Sequence, residues 1–236
     1  MPALDIFSQF FDSCVGSWNS ERTYHYLSES SVERSHTHFS VEPISAEHKA
    51  KVFADNRYRG SVDQLERCPG LHLSFHTISE KGEVVDRAVN FVLVPIDMPK
   101  KEEGIVEGDY LRDRSYEDER SIVTDFRFDS RTRELLTTSR YGQVVSVDSI
   151  TLLTPTMRAR RIVNYKRPSE GEPLTEIDLL GLGIENKVAK GKQTEKQSQM
   201  RKLFTPEVVR LYGIEYATSL DEFQRKKQQA KPSGAE

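Results

Sequence analysis

The chain has 236 residues and a mass of 27.1 kDa, which accommodates one large domain or two small ones. A formal net charge of -3 and an isoelectric point near 6.1 weigh against a general nucleic-acid binder. Hydrophobic residues make up 36% and mean hydropathy is -0.62, the balance of a soluble protein with a core, and no apolar run approaches the roughly 20 residues that span a bilayer.

The opening "MPALDIFSQF" has neither a basic leader nor a long apolar stretch, which argues against secretion. Leu4, Phe7, Phe10, Phe11 and Cys14 recur at helical spacing and predict a short helix that Gly16 ends. The next run, "GSWNSERTYHYL", alternates as a strand. One of its faces carries Trp18, Ser20, Arg22, Tyr24 and Tyr26. A fold buries the aromatic face, yet Arg22 lies in its middle. A buried guanidinium calls for an anion, because an unpaired buried charge is costly.

Further β-like runs follow: "THFSVEPI", "GLHLSFHTI", "DRAVNFVLV", "GDYLRDR", "SIVTDFRF", "RELLTTSRY", "VVSVDSITLL", "MRARRIVNY" and "LTEIDLLGL". Turn-rich pieces such as "SEKGE", "RYGQ" and "RPSEGEP" separate them. With the first run they make about ten strands, and the absence of crossover helices favours an antiparallel meander. A closed meander has no exposed edges and an interior lined by every second residue, which suits a small-ligand binder. The charged stretch from 44 to 68 predicts one or two helices inserted after the second strand. Residues 187–204 are basic and Gln-rich and read as a solvated linker. Beyond them, Thr205 as N-cap before Pro206 and the capping box "SLDE" predict two helices and a loose tail within 205–236.

The histidine pairs His36/His38 and His72/His76 share strand faces without a carboxylate or cysteine at ligand spacing, so no metal site is expected. Cys14 and Cys68 fit a reducing compartment, and neither sits in a nucleophile motif. In "TPTMRARRIV", Arg158 and Arg160 point the same way on a strand, and Arg161 points the other way. The fork suits bidentate carboxylate binding or an exposed basic strand. Asp148, on the preceding strand, stands within reach of Arg158 across a hairpin, where a plain cross-strand ion pair is the alternative.

Three stretches in order carry a resemblance. "FFDSCVGSWNSERTYHYL" resembles the signature of the S-type phycobiliprotein lyases (CpcS/CpeS), a helix leading into G-x-W-x-S-x-R-T. "GDYLRDRSYEDERSIVTDFRFD" resembles that family's L-x-R-D-x-x-Y-x-E stretch. "LLTTSRYGQVVSVDSITLLTPTMRARRIV" resembles its acidic–hydrophobic–Pro–x–hydrophobic–Arg–x–Arg segment. The resemblance implies a mainly β, lipocalin-like or fatty-acid-binding-protein-like antiparallel barrel at 1–186. It further implies a substrate, an open-chain tetrapyrrole such as phycocyanobilin or phycoerythrobilin, with no permanent cofactor. The pigment would be attached through a thioether to a cysteine of an apo-phycobiliprotein subunit. Its propionates would meet Arg22 and Arg158 or Arg160, Asp148 would accept from the pyrrole N–H groups, and Trp18, Tyr24, Tyr26 and Phe75 would stack along its plane. Asp148 and Arg158 are the catalytic candidates. The resemblance places such a protein in a cyanobacterial cytoplasm or a plastid stroma, and a homo- or hetero-dimer with a related lyase subunit is compatible with it. The competing reading is a non-catalytic carrier of bilin, haem or fatty acid in the same barrel.

Overall fold

Helix α1 (Ala3–Cys14) forms as its periodicity predicts, with Phe7, Phe10, Phe11 and Cys14 buried. Leu4 is an exception and is exposed, because the packing stripe of the first turn runs through Ala3 and Ile6 instead. The computed structural model describes residues 3–96, 103–113 and 123–188, with Val62, Asp63 and Val123 as backbone only. The expected linker beyond Val188 and the expected terminal helices of 205–236 lie outside the described residues.

Ten strands follow in chain order: β1 (Gly16–Tyr26), β2 (Ser31–Pro43), β3 (Gly70–Ser79), β4 (Val84–Pro95), β5 (Ile105–Arg112), β6 (Val123–Asp129), β7 (Glu134–Tyr141), β8 (Val144–Thr154), β9 (Met157–Lys166) and β10 (Ile177–Lys187). Each pairs antiparallel with the next, and β10 returns to β1 from Trp18↔Lys187 to Tyr26↔Leu179. The barrel therefore closes, and none of the ten described strands is left as an edge to template association. Alternation sets the lining: Arg22, Tyr24 and Tyr26 of β1 face inward, and Asn19 and Glu21 lie on the opposite face of the same strand.

The two ends of the barrel differ. At one end α1 acts as a plug. Phe7 stacks on Phe126 at 5.4 Å and 11° and meets Phe11 and Phe128 edge-on. Each buried phenylalanine contributes about 1.5–3 kcal/mol relative to exposure. At the other end lie the hairpin turns 27–30, 80–83 and 142–143 and the loop 167–176. The insertion after β2 forms α2 (Ala46–Asp55), capped by Ser45, and α3 (Val62–Arg67), which starts in a Ser61/Gln64 capping box. Val52, Phe53 and Cys68 from this insertion cover Val92, Val94 and Leu111 on the outside of β4 and β5.

Candidate functional site

The barrel encloses a cavity of about 600 Å³, within the range of small-molecule sites. Phe10, Phe11 and Cys14 of α1 form its floor, and Tyr26, Glu33, Glu83 and Val85 reach its mouth.

The anion that Arg22 requires is protein-borne. Arg22 Nη2 donates to Glu185 Oε1 at 3.1 Å, and its Nε donates to Ser20 Oγ at 3.1 Å. Two glycines of β10 make this approach possible. Gly183 lies opposite Arg22, and a Cβ there would stand 2.9 Å from Arg22 Cγ. Gly181 lies opposite Tyr24, whose ring edge would meet a Cβ at 2.9 Å. The side chains of β1 thus lean across β10 toward Glu185.

Glu185 is fully buried and holds a second arginine. Its Oε2 accepts from Arg158 Nε at 2.9 Å and Nη2 at 2.5 Å. Arg158 lies over Trp18, with its guanidinium carbon 4.4 Å from the ring centroid. Arg160 grips Asp148 with Nε at 3.0 and 3.1 Å from the two carboxylate oxygens and Nη2 at 2.5 Å, and its Nη1 lies 3.9 Å from Glu185 Oε1. The hairpin register explains this partner choice: Asp148 aligns with Ile162 and Ile150 with Arg160, so Arg160 is the diagonal neighbour. The expected Asp148–Arg158 pair is therefore replaced by Asp148–Arg160, and Arg158 takes Glu185.

Burial opposes ionisation of Glu185, but the facing Arg158, Arg160 and Arg22 outweigh it and hold the carboxyl down to about 2. Burial pushes the Cys14 thiol up even though Arg158 lies beside it, so the thiolate is disfavoured. Three guanidiniums against two carboxylates leave this wall with one positive charge in excess.

The expected site residues separate into lining and support. Arg22, Tyr24, Tyr26, Phe75, Asp148, Arg158 and Arg160 line the cavity. Trp18 corrects the expectation that it stacks on a ligand: it is wholly buried behind Arg158, with its Nε1 donating to Cys14 O at 2.8 Å. Sequence reasoning missed Glu185, Tyr110, Arg112, Tyr141 and Ser35. Arg112 Nη1 donates to the Tyr141 hydroxyl at 3.2 Å, and its guanidinium lies 5.4 Å from the Tyr110 centroid. Ser35, aligned with Arg22 on β2 and 2% exposed, offers the cavity a hydroxyl with no hydrogen-bond partner. The strand histidines lie on the opposite face of their strands from the lining residues, His72 bonded to Asn90 at 2.7 Å and His76 to Asp86 at 2.9 Å. Cys14 and Cys68 belong to separate clusters.

Comparisons with known proteins agree with this architecture. The model of a family described as CpeS-like protein matches residues 6–178. A chromophore lyase CpcS/CpeS 1 from Synechococcus sp. (strain JA-3-3Ab) is 48% identical over 191 residues, covering 80% of this chain and 100% of that protein. The solved S-type phycobiliprotein lyase CPES from Guillardia theta superposes with a TM-score of 0.60 at 17% identity, over 78% of this chain and 93% of its own. At that identity it speaks for the fold. No described helix is long and apolar enough to cross a membrane.

Proposed function

This chain belongs to the CpeS-like protein family, and from that premise we infer that it is a chromophore lyase that joins an open-chain tetrapyrrole to a cysteine of a phycobiliprotein subunit. The observation that carries the reading is the arginine–carboxylate wall, an excess of positive charge opening into an aromatic cavity of ligand size. A bilin presents a flat conjugated body and two propionates, so both halves of that cavity have a counterpart in it. Phycocyanobilin and phycoerythrobilin are the candidate substrates, and an apo-phycobiliprotein subunit is the acceptor. A cyanobacterial cytoplasm or a plastid stroma is the corresponding location.

In this mechanism the nucleophile belongs to the partner. The acceptor thiolate adds to the exocyclic ethylidene carbon of ring A, and the ring system takes up the proton. The lyase supplies orientation and exclusion of wrong addition. Arg22 and Arg160 bind propionate, each already aimed by a carboxylate partner. Tyr24, Tyr26 and Phe75 flank the pigment's plane. Asp148, at the cavity surface, accepts from the pyrrole N–H groups and favours the protonated, more electrophilic bilin. Arg158 is a positioning residue that fixes Glu185, and Trp18 backs it.

The barrel with α1 is the catalytic unit on this reading. Its support is that the Synechococcus lyase is matched over its whole length by 191 residues of this chain. The deciding experiment is co-expression with bilin-synthesising enzymes and candidate apo-subunits, followed by zinc-enhanced fluorescence on a denaturing gel. A covalently fluorescent subunit is expected. A shifted bilin spectrum without any thioether product would make the protein a carrier.

A further inference from the structure

Among the described residues the barrel has one plugged end and one open end, and the open end has an apolar rim. Six of the twelve exposed large hydrophobic residues among those described lie there: Leu27, Val32, Val84, Val85, Leu174 and Ile177, between 37 and 53% exposed. They come from three connections that meet at the mouth, and the backbone ties these together. Leu27 N–H donates to Asp178 O at 2.9 Å, and Glu80 N–H donates to Arg34 O at 2.9 Å. Ion pairs brace the same turns, with Lys81 on Glu33 at 3.2 Å, Arg34 on Glu80 at 3.3 Å and Lys166 on Glu176 at 3.0 Å. An apolar patch set among polar groups on braced loops has the anatomy of a protein–protein contact surface.

We propose that this rim is the docking surface for the acceptor polypeptide, seating a cysteine-bearing apolar face of the apo-subunit over the mouth. The inference rests on the lyase reading above and adds where its partner binds. Arg22 and Arg160, the propionate binders, lie level with each other at mid-barrel, both opposite Gly183, and toward the plug the space is taken by Arg158, Cys14, Phe10 and Phe11. In the cyclic form of a bilin, rings A and D lie on the edge opposite the propionates. Carboxylates held at the arginines therefore turn ring A toward the mouth. The floor is closed by the packed phenylalanines of α1, so a thiolate on a folded partner meets ring A from the rim side. The cavity wall is continuous with the rim, since Val85 belongs to both.

The test uses the full chain with Val32→Glu and Val84→Glu combined, and separately Val32→Lys and Val84→Lys. Both positions are exposed and neither lines the cavity. Leu182→Glu with Ile184→Glu is the control, on the exposed flank of β10. Phycocyanobilin and phycoerythrobilin titrations come first and report the fold and the lyase reading together. Initial rates of thioether formation on recombinant apo-phycobiliprotein subunits then give KM and kcat. Rim variants of either charge are expected to bind bilin within about twofold of the parent and to show KM for the acceptor raised at least tenfold, with kcat little changed. The control is expected to match the parent. Unchanged KM in both rim variants, or the larger KM effect in the β10 control, would overturn the docking surface. A parent that binds no bilin would instead overturn the lyase reading.

Discussion

Arg158 and Glu185 form a doubly hydrogen-bonded pair buried in the barrel wall, with Nε and Nη2 at 2.9 and 2.5 Å from a single carboxylate oxygen. The other oxygen faces Arg22 at 3.1 Å, so one buried anion orders two guanidiniums. Removing one partner of a buried pair leaves an uncompensated charge and costs about 3–5 kcal/mol. Glu185→Ala and Arg158→Ala should each lower the thermal midpoint sharply, by roughly 10 °C or more. Glu185→Gln should lie between, since the amide still accepts hydrogen bonds. Calorimetric melts on the variants check this, and a Glu185→Ala midpoint within 2 °C of the parent would contradict the keystone role.

The same pair predicts an acid limit. Glu185 has its folded pKa depressed to about 2 from an ordinary 4.5, despite burial, by its three arginines. A depressed carboxyl contributes stability that is complete above its unfolded pKa and is lost as pH falls through the folded value. The difference in melting temperature between the parent and Glu185→Gln should be constant above about pH 5 and shrink between about 4.5 and 2. A difference independent of pH across that window would mean that Glu185 is not held ionised by this cluster.

The lining of the cavity was legible where parity sufficed. Alternation along "GSWNSERTYHYL" and "MRARRIV" selects Arg22, Tyr24, Tyr26, Arg158 and Arg160 as one-faced sets, and all of them reach the interior. Glu185 was not legible, because "LTEIDLLGL" breaks off at Leu182, and Gly181 and Gly183 on either side of that residue look like a strand's end. Those glycines are there to admit Tyr24 and Arg22, a close approach visible only once β10 lies beside β1. The Asp148 partner was missed for a similar reason. Counting residues places Arg158 across the hairpin, but the register of β8 against β9 puts Arg160 on the diagonal. Trp18 satisfies the parity rule and still lies outside the cavity, because depth along the strand sets it beneath Arg158.

Propionate recognition by an aimed guanidinium is a charge-assisted contact that contributes roughly 1.5–3 kcal/mol. Arg22→Ala and Arg160→Ala should each weaken phycocyanobilin or phycoerythrobilin binding about tenfold to a hundredfold. Arg161 points outward beside Ser149 and Leu182, and its alanine variant should change affinity less than about twofold. Equilibrium titration followed by bilin absorbance checks the order. Equal losses in all three would place the ligand elsewhere.

The cysteines give a negative prediction. Cys14 lines the cavity floor, yet burial raises its pKa and disfavours the nucleophilic thiolate. Cys68 lies under α2, away from the cavity, with its pKa likewise raised by burial. Cys14→Ser combined with Cys68→Ser should retain at least half of the transfer rate to an apo-subunit. Loss of transfer with bilin binding intact would reveal a covalent relay on this chain.

Asp148 separates chemistry from packing. Its two oxygens both engage Arg160, and the side chain still reaches the cavity surface beside Tyr110 and Ile150. In Asp148→Asn the amide accepts one hydrogen bond from Arg160 but brings no charge to a protonated pyrrole. Bilin binding should fall by less than tenfold, because the propionate contacts of Arg22 remain. The bound pigment's main absorption band should shift to the blue, as the neutral chromophore becomes favoured, and thioether formation should slow at least tenfold. Arg160→Ala should show the opposite weighting, with the larger loss in affinity and a spectrum closer to the parent. If Asp148 only pairs with Arg160 across the hairpin, both variants will melt lower and bind bilin equally well per folded molecule, with unchanged spectra. Melting curves, titrations and bound spectra on the two variants distinguish these outcomes, since stability moves in either case and only a carboxylate facing the pigment moves its colour.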